Sequence, residues 1–248
     1  EIQFDYVRFP AEGDQKDASF VYQREQDSCG DGRLARPADA KQGGTSATPE
    51  LCKTSHPALQ RSDVITNFLK RAYAELHPTG VLLSLDVFGV MAWQRSVDLS
   101  HTGQDIVGMA KYCDVLSPMI YPSHFFGMDG IEHPGDAPEH FIGESMQRFE
   151  LITKGSGVVI RPWLQAFRWR TKTYSPEYIK VQVATAREKG GIGFLFWNAA
   201  NDYSKPYEAM PEMKAADLKE GKEKTKYFRG DELPTATVKA SLLPVAVP

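Results

Sequence analysis

Two aspartates, Asp5 and Asp86, each end an apolar stretch of the chain, and they are the side chains best placed for chemistry. Continuous apolar runs such as residues 80 to 85 are typical of strands covered on both faces, as in a parallel sheet. A carboxylate at the C-terminal end of such a strand lies where barrel enzymes carry out catalysis. Two carboxyl groups can divide acid and base work, since one gives a proton while the other attacks or activates water.

The elements that must position these carboxylates alternate along the chain. Apolar residues at helical spacing predict a helix that begins after an N-cap at Ser62 and ends near His77. Further helices are predicted near 103 to 112, 138 to 153, 176 to 189 and 205 to 219, and strands over 1 to 7, 80 to 87, 114 to 121, 157 to 165 and 191 to 197. Five strands linked by helices indicate an α/β fold, either an open doubly wound sheet or part of a (β/α)₈ barrel.

Side-chain alternation favours the barrel. If Asp86 points to one side of its strand, Ser84 does too, while Leu83 and Leu85 point to the other side. The same alternation places Gln3 with Asp5. One face is therefore polar near the strand ends and the other is apolar, which fits a barrel interior better than a sheet covered equally on both sides.

Composition excludes several classes of protein. The chain has 42% apolar and 25% charged residues and a formal net charge of -3, which is typical of a globular protein and gives no basic surface for nucleic acid. No apolar run reaches the ~18 residues of a transmembrane helix. We therefore expect neither a nucleic-acid partner nor a membrane segment in this chain.

Two stretches lie outside the predicted alternation. Residues 11 to 61 are rich in Gly, Asp, Ser, Lys and Ala and predict a long loop insertion, across which Cys29 and Cys52 either form a disulfide or stay apart as thiols. Residues 221 to 248 predict an extended C-terminal tail. The barrel portion is thus expected over residues 1 to 220.

Five segments resemble a bacterial family of glycosyl hydrolase-like barrels that are distantly related to α-amylase-type enzymes. They are FDYVRFP at 4 to 10, DVFG at 86 to 89, SPMIYPSH at 117 to 124, RPWLQAF at 161 to 167 and GGIGFLFWN at 190 to 198. The resemblance implies that these segments carry strands four to eight of a (β/α)₈ barrel, so that the first three βα units are missing. Either the sequence is a portion of a longer chain, or a partner segment completes the barrel. The resemblance also favours an extracellular or cell-envelope location.

The implied activity is the cleavage of glycosidic bonds in an oligosaccharide or polysaccharide. Such cleavage needs two carboxyl groups, about 5 to 5.5 Å apart in retaining enzymes and about 6.5 to 9.5 Å apart in inverting ones. We expect Asp5, kept ionised by Arg8, to act as nucleophile or base, and Asp86, in an apolar setting near Phe88 and Trp93, to act as acid. The alternatives are a structural salt bridge between Asp5 and Arg8 and a turn-capping role for Asp86 before Gly89.

Around the aspartates we expect side chains that bind sugars through flat apolar faces or hydrogen bonds. The candidates are Arg8, Tyr121, His124, Arg161, Trp163, Gln165, Trp197 and Asn198. No His-x-x-x-His or Cys-x-x-Cys spacing occurs, so neither a metal nor a cofactor is expected. The alternative function is a carbohydrate-binding or scaffold barrel that keeps the aromatic cleft without turnover.

Overall fold

The computed structural model describes residues 1–10 and 60–220, with side chains as far as residue 215. Its strands are β1 (Ile2–Phe4), β2 (Leu83–Phe88), β3 (Val115–Ile120), β4 (Val159–Ile160), β5 (Trp163–Gln165) and β6 (Leu195–Trp197). Its α-helices are α1 (Arg61–Leu76), α2 (Ser96–Thr102), α3 (Ile106–Met109), α4 (Pro138–Ile152), α5 (Pro176–Glu188) and α6 (Ser204–Glu220). Short 3₁₀ turns cover Gly89–Trp93, Pro122–His124 and Pro134–Asp136, among others.

The strands form one parallel sheet in the order β1-β2-β3-β5-β6, with β4 paired to β3. Register is fixed by pairs such as Phe4 with Leu85 and Asp86 with Ser117. Every connection between neighbouring strands runs through helical segments, as a parallel sheet requires. The fold is therefore a partial (β/α) barrel, and the prediction of a parallel α/β barrel portion is confirmed.

The strand predicted over 157 to 165 is interrupted. It is divided into β4 and β5 at Arg161 and Pro162, and proline has no N–H to give to a sheet ladder. The two pieces nevertheless follow the same neighbour, because Ile160 pairs with Leu116 and Leu164 pairs with Ile120. Together they fill one strand position of the barrel.

Two helix predictions need correction at their boundaries. Helix α1 begins at Arg61 and not after Ser62, because the N–H of Gln60 donates to Asp63 Oδ2 at 2.8 Å and closes the first turn there. The helix expected near 103 to 112 is the short α3 followed by a 3₁₀ turn over Ala110–Tyr112. Helix α2 was not predicted from the sequence.

The core lies between the outer face of the sheet and the helices. Buried apolar side chains of the strands meet those of α1, α4 and α5; they include Leu69, Leu83, Leu85, Leu116, Ile120, Phe141, Ile142, Leu164 and Ile179. At the opposite end of the strands from the aspartates, Asp114 accepts hydrogen bonds from the N–H of Leu83 at 2.8 Å and from the hydroxyl of Tyr73 at 3.3 Å. These bonds hold β2, β3 and α1 together at this end of the sheet. They therefore help to fix the positions of the strands whose other ends carry the aspartates.

Some predictions concern residues outside the described part of the chain. Those are the loop character of residues 11 to 59, the pairing of Cys29 with Cys52 and the tail from residue 221. Cys113 is buried. Within residues 1–10 and 60–220, no helix has the length and apolar character needed to cross a membrane.

Candidate active site

The C-terminal ends of the strands bring the predicted residues to one edge of the sheet. Asp5 comes directly after β1, Asp86 lies near the end of β2, and Tyr121 comes directly after β3. Gln165 and Trp197 are the last residues of β5 and β6 and are paired with each other in register. Because strand residues alternate between faces, the side chains of Gln3, Asp86, Ser117 and Trp163 share the inner face.

Asp86 is the buried carboxyl group of this face, with 5% of its surface exposed. Its Oδ1 accepts a hydrogen bond from Gln3 Nε2 at 2.6 Å and another from Trp163 Nε1 at 2.8 Å. Burial raises the pKa of Asp86 and outweighs these two bonds, which favour the charged form, and the negative charge of Asp5 raises it further. The second oxygen, Oδ2, is the natural position for a proton.

Asp5 is exposed and lies beside Asp86. The last pair in register between β1 and β2 is Phe4 with Leu85, so Asp5 and Asp86 each follow directly after a member of that pair, and neighbouring strands lie about 4.8 Å apart. Asp5 Oδ1 accepts the N–H of Tyr6 at 2.6 Å, and Tyr6 adopts a left-handed backbone with φ of 61°. This turn leads the chain away from the sheet directly after Asp5.

Contrary to expectation, Arg8 does not form an ion pair with Asp5. Its guanidinium lies 3.9 Å from the ring centroid of Tyr6 and 4.4 Å from that of Phe88, and it donates to the carbonyl of Phe9 at 3.3 Å. Within the described residues no ion pair joins Arg8 to Asp5. The guanidinium of Arg8 therefore packs against the aromatic rings next to Asp5 and does not neutralise the charge of the Asp5 carboxylate directly.

Arg161 lies below the aspartates on the inner face. It forms an ion pair with Glu1, with Nη1 at 3.0 Å from Glu1 Oε2, and Nη2 lies 3.5 Å from Gln3 Oε1. The Arg161 hydrogen bond lowers the pKa of Glu1, against the opposing effect of burial. Because Gln3 bonds both Arg161 and Asp86, the ion pair and the buried acid belong to one polar network.

An aromatic cluster extends from Asp86 along the strand ends. The Tyr121 ring lies 5.5 Å from His124 and 5.6 Å from Phe167, and the His124 ring lies 4.8 Å from Trp169, all between centroids. Burial, followed by the charges of Asp86 and Asp5, raises the pKa of Tyr121, so its hydroxyl stays protonated. Burial and the nearby Arg170 lower the pKa of His124, which favours the neutral imidazole.

Gln165 is buried and fully engaged with the protein. Its Oε1 accepts the N–H of Ser123 at 3.1 Å, and its Nε2 donates to the carbonyl of Phe167 at 3.0 Å. Its backbone N–H and carbonyl bond the side chain of Gln182. The amide therefore positions the turn after Tyr121.

The side-chain amide of Asn198, like that of Gln165, is bonded to backbone groups. Its Nδ2 donates to the carbonyls of Ala166 at 2.6 Å and Asp202 at 2.9 Å, while Oδ1 accepts the N–H of Ala200 at 2.7 Å. These bonds shape the loop after β6. Trp197, one residue earlier, is 45% exposed and presents its ring at the end of that strand.

Trp93 lies away from Asp86, contrary to expectation. Its ring packs 5.3 Å from Phe125, and its Nε1 donates to Asp129 at 3.2 Å.

The sequence reasoning also missed Gln104, whose Oε1 accepts the N–H of Phe88 and whose Nε2 donates to the carbonyl of Val7 at 3.3 Å. Gln104 holds the ends of β1 and β2 together, and no local sequence signal marks it.

Among the described residues, no group of three or more His, Cys, Asp or Glu side chains is arranged to hold a metal ion. What the inner face does bring together is a buried carboxyl group, a second carboxyl group on the next strand and flat aromatic rings. That combination suits acid and base catalysis on a ring-shaped polar substrate. A parallel partial barrel with such groups at the C-terminal ends of its strands has the arrangement of the (β/α) barrel enzymes.

Comparison with known proteins identifies the family. The protein-family model described as "Putative glycosyl hydrolase domain" matches residues 1–203, and the chain belongs to that family. The chain is also similar to the solved structure of the PgaB (BpsB) glycoside hydrolase domain from Bordetella bronchiseptica, at 16% sequence identity and a TM-score of 0.40. That match covers 62% of this chain and 43% of the other. No protein with curated annotation matches the chain.

Proposed function

We propose that the protein is a glycoside hydrolase in which Asp86 is the general acid and Asp5 the nucleophile or base. The observation that carries the proposal is the environment of Asp86, a buried carboxyl group of raised pKa with a second carboxylate at the adjoining strand end. A carboxyl group whose pKa is raised by burial is the usual basis for assigning the general acid in such enzymes.

The chemical steps follow from these positions. Asp86 Oδ2 gives its proton to the glycosidic oxygen while the bond from that oxygen to the anomeric carbon breaks. Asp5, or a water that Asp5 deprotonates, supplies the electron pair that forms the new bond at the anomeric carbon. Where Asp5 itself forms that bond, a water that gives its proton to Asp86 then attacks the anomeric carbon and breaks the bond to Asp5. In either route the leaving group departs as a neutral alcohol, so no charge builds up on it.

Sugar binding is assigned to the exposed and half-buried side chains around the aspartates. Trp163 and Trp197 offer apolar faces for pyranose rings, and Tyr121 and His124 offer hydrogen-bonding groups beside such a face. Arg8 and Arg161 support the site through Phe88 and Gln3. Gln165 and Asn198 act as positioning residues, because their amides are bonded to the backbone.

The roles can be separated with Asp5→Asn and Asp86→Asn, assayed on a panel of activated aryl glycosides and matched unactivated oligosaccharides. Each change should remove most turnover of the oligosaccharide, by about 100-fold or more. Asp86→Asn should keep much more activity on aryl glycosides, because a good leaving group needs little protonation. Asp5→Asn should lose activity on both, since a missing nucleophile or base is not relieved by the leaving group.

An exposed aspartate away from the face provides the control, and Asp63→Asn at the start of α1 should leave turnover unchanged. Oligosaccharide binding should remain measurable in both test variants, because the aromatic rings are kept. Near wild-type turnover in Asp5→Asn and Asp86→Asn would reject this aspartate pair as the catalytic residues, whereas binding without turnover in the wild type would favour a binding barrel without catalysis.

A further inference from the structure

A second concave region lies next to the aromatic cluster, outside the set of residues assigned to bond cleavage. It is a cavity of about 570 Å³ lined by Ser123, Phe126, Glu132, His133, Pro134, Asp136 and residues 168 to 172. Its floor adjoins the site, because the N–H of Ser123 bonds Gln165 at the end of β5. A chain of sugars leaving the aspartates along Tyr121 and His124 would reach this cavity next.

Cations dominate one wall of the cavity. Arg168, Arg170 and Lys172 alternate along one loop and are all exposed, although the whole chain carries a net charge of -3. Within the described residues, neither Arg168 nor Lys172 forms an ion pair with a carboxylate. Arg161 on the inner face differs, since it is already paired with Glu1.

Of the two acidic residues of the cavity, Asp136 is already engaged by hydrogen bonds, and Glu132 is exposed. Asp136 Oδ1 accepts the N–H of Lys172 at 2.7 Å and the hydroxyls of Thr171 at 3.0 Å and Thr173 at 3.1 Å. Glu132 lies 3.8 Å from His133 Nε2 and is exposed to solvent. Three cations against two such acids leave the cavity positive.

The loop that carries the cations is held in a fixed shape. Arg170 has a left-handed φ of 48°, which a residue with a Cβ adopts only when its surroundings impose it. Its carbonyl lies so close to Gly135 that a Cβ there would approach it to 2.2 Å. The guanidinium of Arg170 lies 4.0 Å from the ring centroid of Phe126 and 4.7 Å from that of Trp169. Arg170 and Trp169 are thus placed together as a charged group beside a flat apolar face.

We propose that this cavity is a subsite for an acidic sugar, with the carboxylate of a hexuronate bound by Arg168 and Arg170 and the sugar ring against Trp169. Guanidinium groups bind carboxylates through two parallel hydrogen bonds, and an aromatic face next to them fits the apolar face of a pyranose ring. This inference rests on the proposed function and adds the substrate class, an acidic saccharide.

The test compares matched uronic-acid and neutral oligosaccharides of equal length, with binding followed by calorimetry in wild type and in the Arg168→Gln/Arg170→Gln double variant. Lys154→Gln, which removes an exposed charge after α4, is the matched control. Wild type should bind the uronic-acid ligand at least about tenfold more tightly than the neutral one, and this preference should weaken as ionic strength rises. The double variant should lose the preference, and Lys154→Gln should keep it.

Equal affinity of wild type for the two ligands, or a preference that survives in the double variant, would overturn the acidic-sugar subsite. A sulfated oligosaccharide that binds more tightly than the uronate would reject the carboxylate assignment. Because this test reads binding affinity and the aspartate variants are read by turnover, the two outcomes are distinct. Loss of turnover in Asp86→Asn with no uronate preference would leave the proposed function standing and remove only this inference.

Discussion

The indole nitrogen of Trp163 lies 2.8 Å from Asp86 Oδ1, although β3 separates the strands that carry the two residues. The contact crosses the inner face of the partial barrel, where Asp86 pairs in register with Ser117 and Trp163 pairs with Met119. Trp163 therefore acts on the Asp86 carboxyl group directly, through a hydrogen bond that favours its charged form. It also presents an aromatic ring at the same position, so one side chain joins the proposed acid to the proposed sugar-binding face.

Replacing Trp163 by Phe should shift the pH dependence of turnover. The change keeps an aromatic ring but removes the N–H that lowers the pKa of Asp86, so that pKa should rise further above its usual value. A general acid works while it is protonated, so the alkaline limb of the pH profile of kcat/KM should move to higher pH. Trp93→Phe is the control, because its N–H is bonded to Asp129. An unmoved or acid-shifted limb in Trp163→Phe would contradict the assignment of Asp86 as the acid.

Asp86→Asn should make the protein more stable at neutral pH. The pKa of Asp86 is raised in the folded state, chiefly by burial, so above the unfolded pKa of about 3.9 the folded protein holds a proton that the unfolded chain has lost. The free energy of unfolding therefore falls as pH rises from the unfolded toward the folded pKa, and this loss is absent in the asparagine variant. Urea unfolding at several pH values should show a gain for Asp86→Asn near pH 7 that disappears below about pH 4. A variant that is less stable than wild type at neutral pH would argue against a strained acid at this position.

The sequence was sufficient to predict the parallel barrel portion, because that prediction rests on periodicity. Helices α4 and α5 and strand β3 lie within two residues of their predicted bounds. The alternation of polar and apolar residues also predicted that Leu83 and Leu85 would point away from the side of Asp86, and both lie in the core. Such patterns indicate which face of a strand or helix is buried. Strands and helices alike bury one face in the core, so the same signal predicts both.

The details of the site depended on contacts that no local pattern encodes. Arg8 lies three residues from Asp5, yet it stacks on Phe88 of the next strand. Gln165 and Asn198 have the residue types of sugar ligands, but their amides are bonded to the backbone of neighbouring loops. Sequence distance and residue type do not specify such bonds, which depend on where the chain turns after each strand ends.

Gln165→Ala should lower the stability of the fold. The substitution leaves the buried N–H of Ser123 and the carbonyl of Phe167 without their side-chain partner. Unsatisfied buried groups cost about 1 to 3 kcal/mol each, so we expect a loss of about 2 to 4 kcal/mol in the free energy of unfolding. Gln147→Ala, an exposed position on α4, should change it by less than about 0.5 kcal/mol. Comparable losses in the two variants would show that Gln165 does not hold the turn.

Gly89 and Gly143 form a matched pair in which the same substitution should have opposite effects. A Cβ at Gly89, directly after β2, would lie 2.5 Å from the carbonyl oxygen of Met119 on β3 and 3.1 Å from the ring of Phe125. The backbone of a central strand cannot move away cheaply, so Gly89→Ala should destabilise the protein by about 1 to 3 kcal/mol. Because the displaced carbonyl lies two residues before Tyr121, the catalytic rate of this variant should fall as well.

At Gly143, inside α4, the nearest atom to a new Cβ is Thr185 Cγ2 at 3.7 Å, which is an ordinary contact. Alanine lowers the entropy of the unfolded chain relative to glycine, so Gly143→Ala should stabilise the protein by about 0.5 to 1 kcal/mol. Chemical denaturation of the two variants side by side measures both effects, and an assay of each at a temperature below its unfolding transition separates stability from activity. If Gly89→Ala were as stable and as active as Gly143→Ala, the close approach of the β2 end to β3 would not be what positions Asp86 and Tyr121 next to each other.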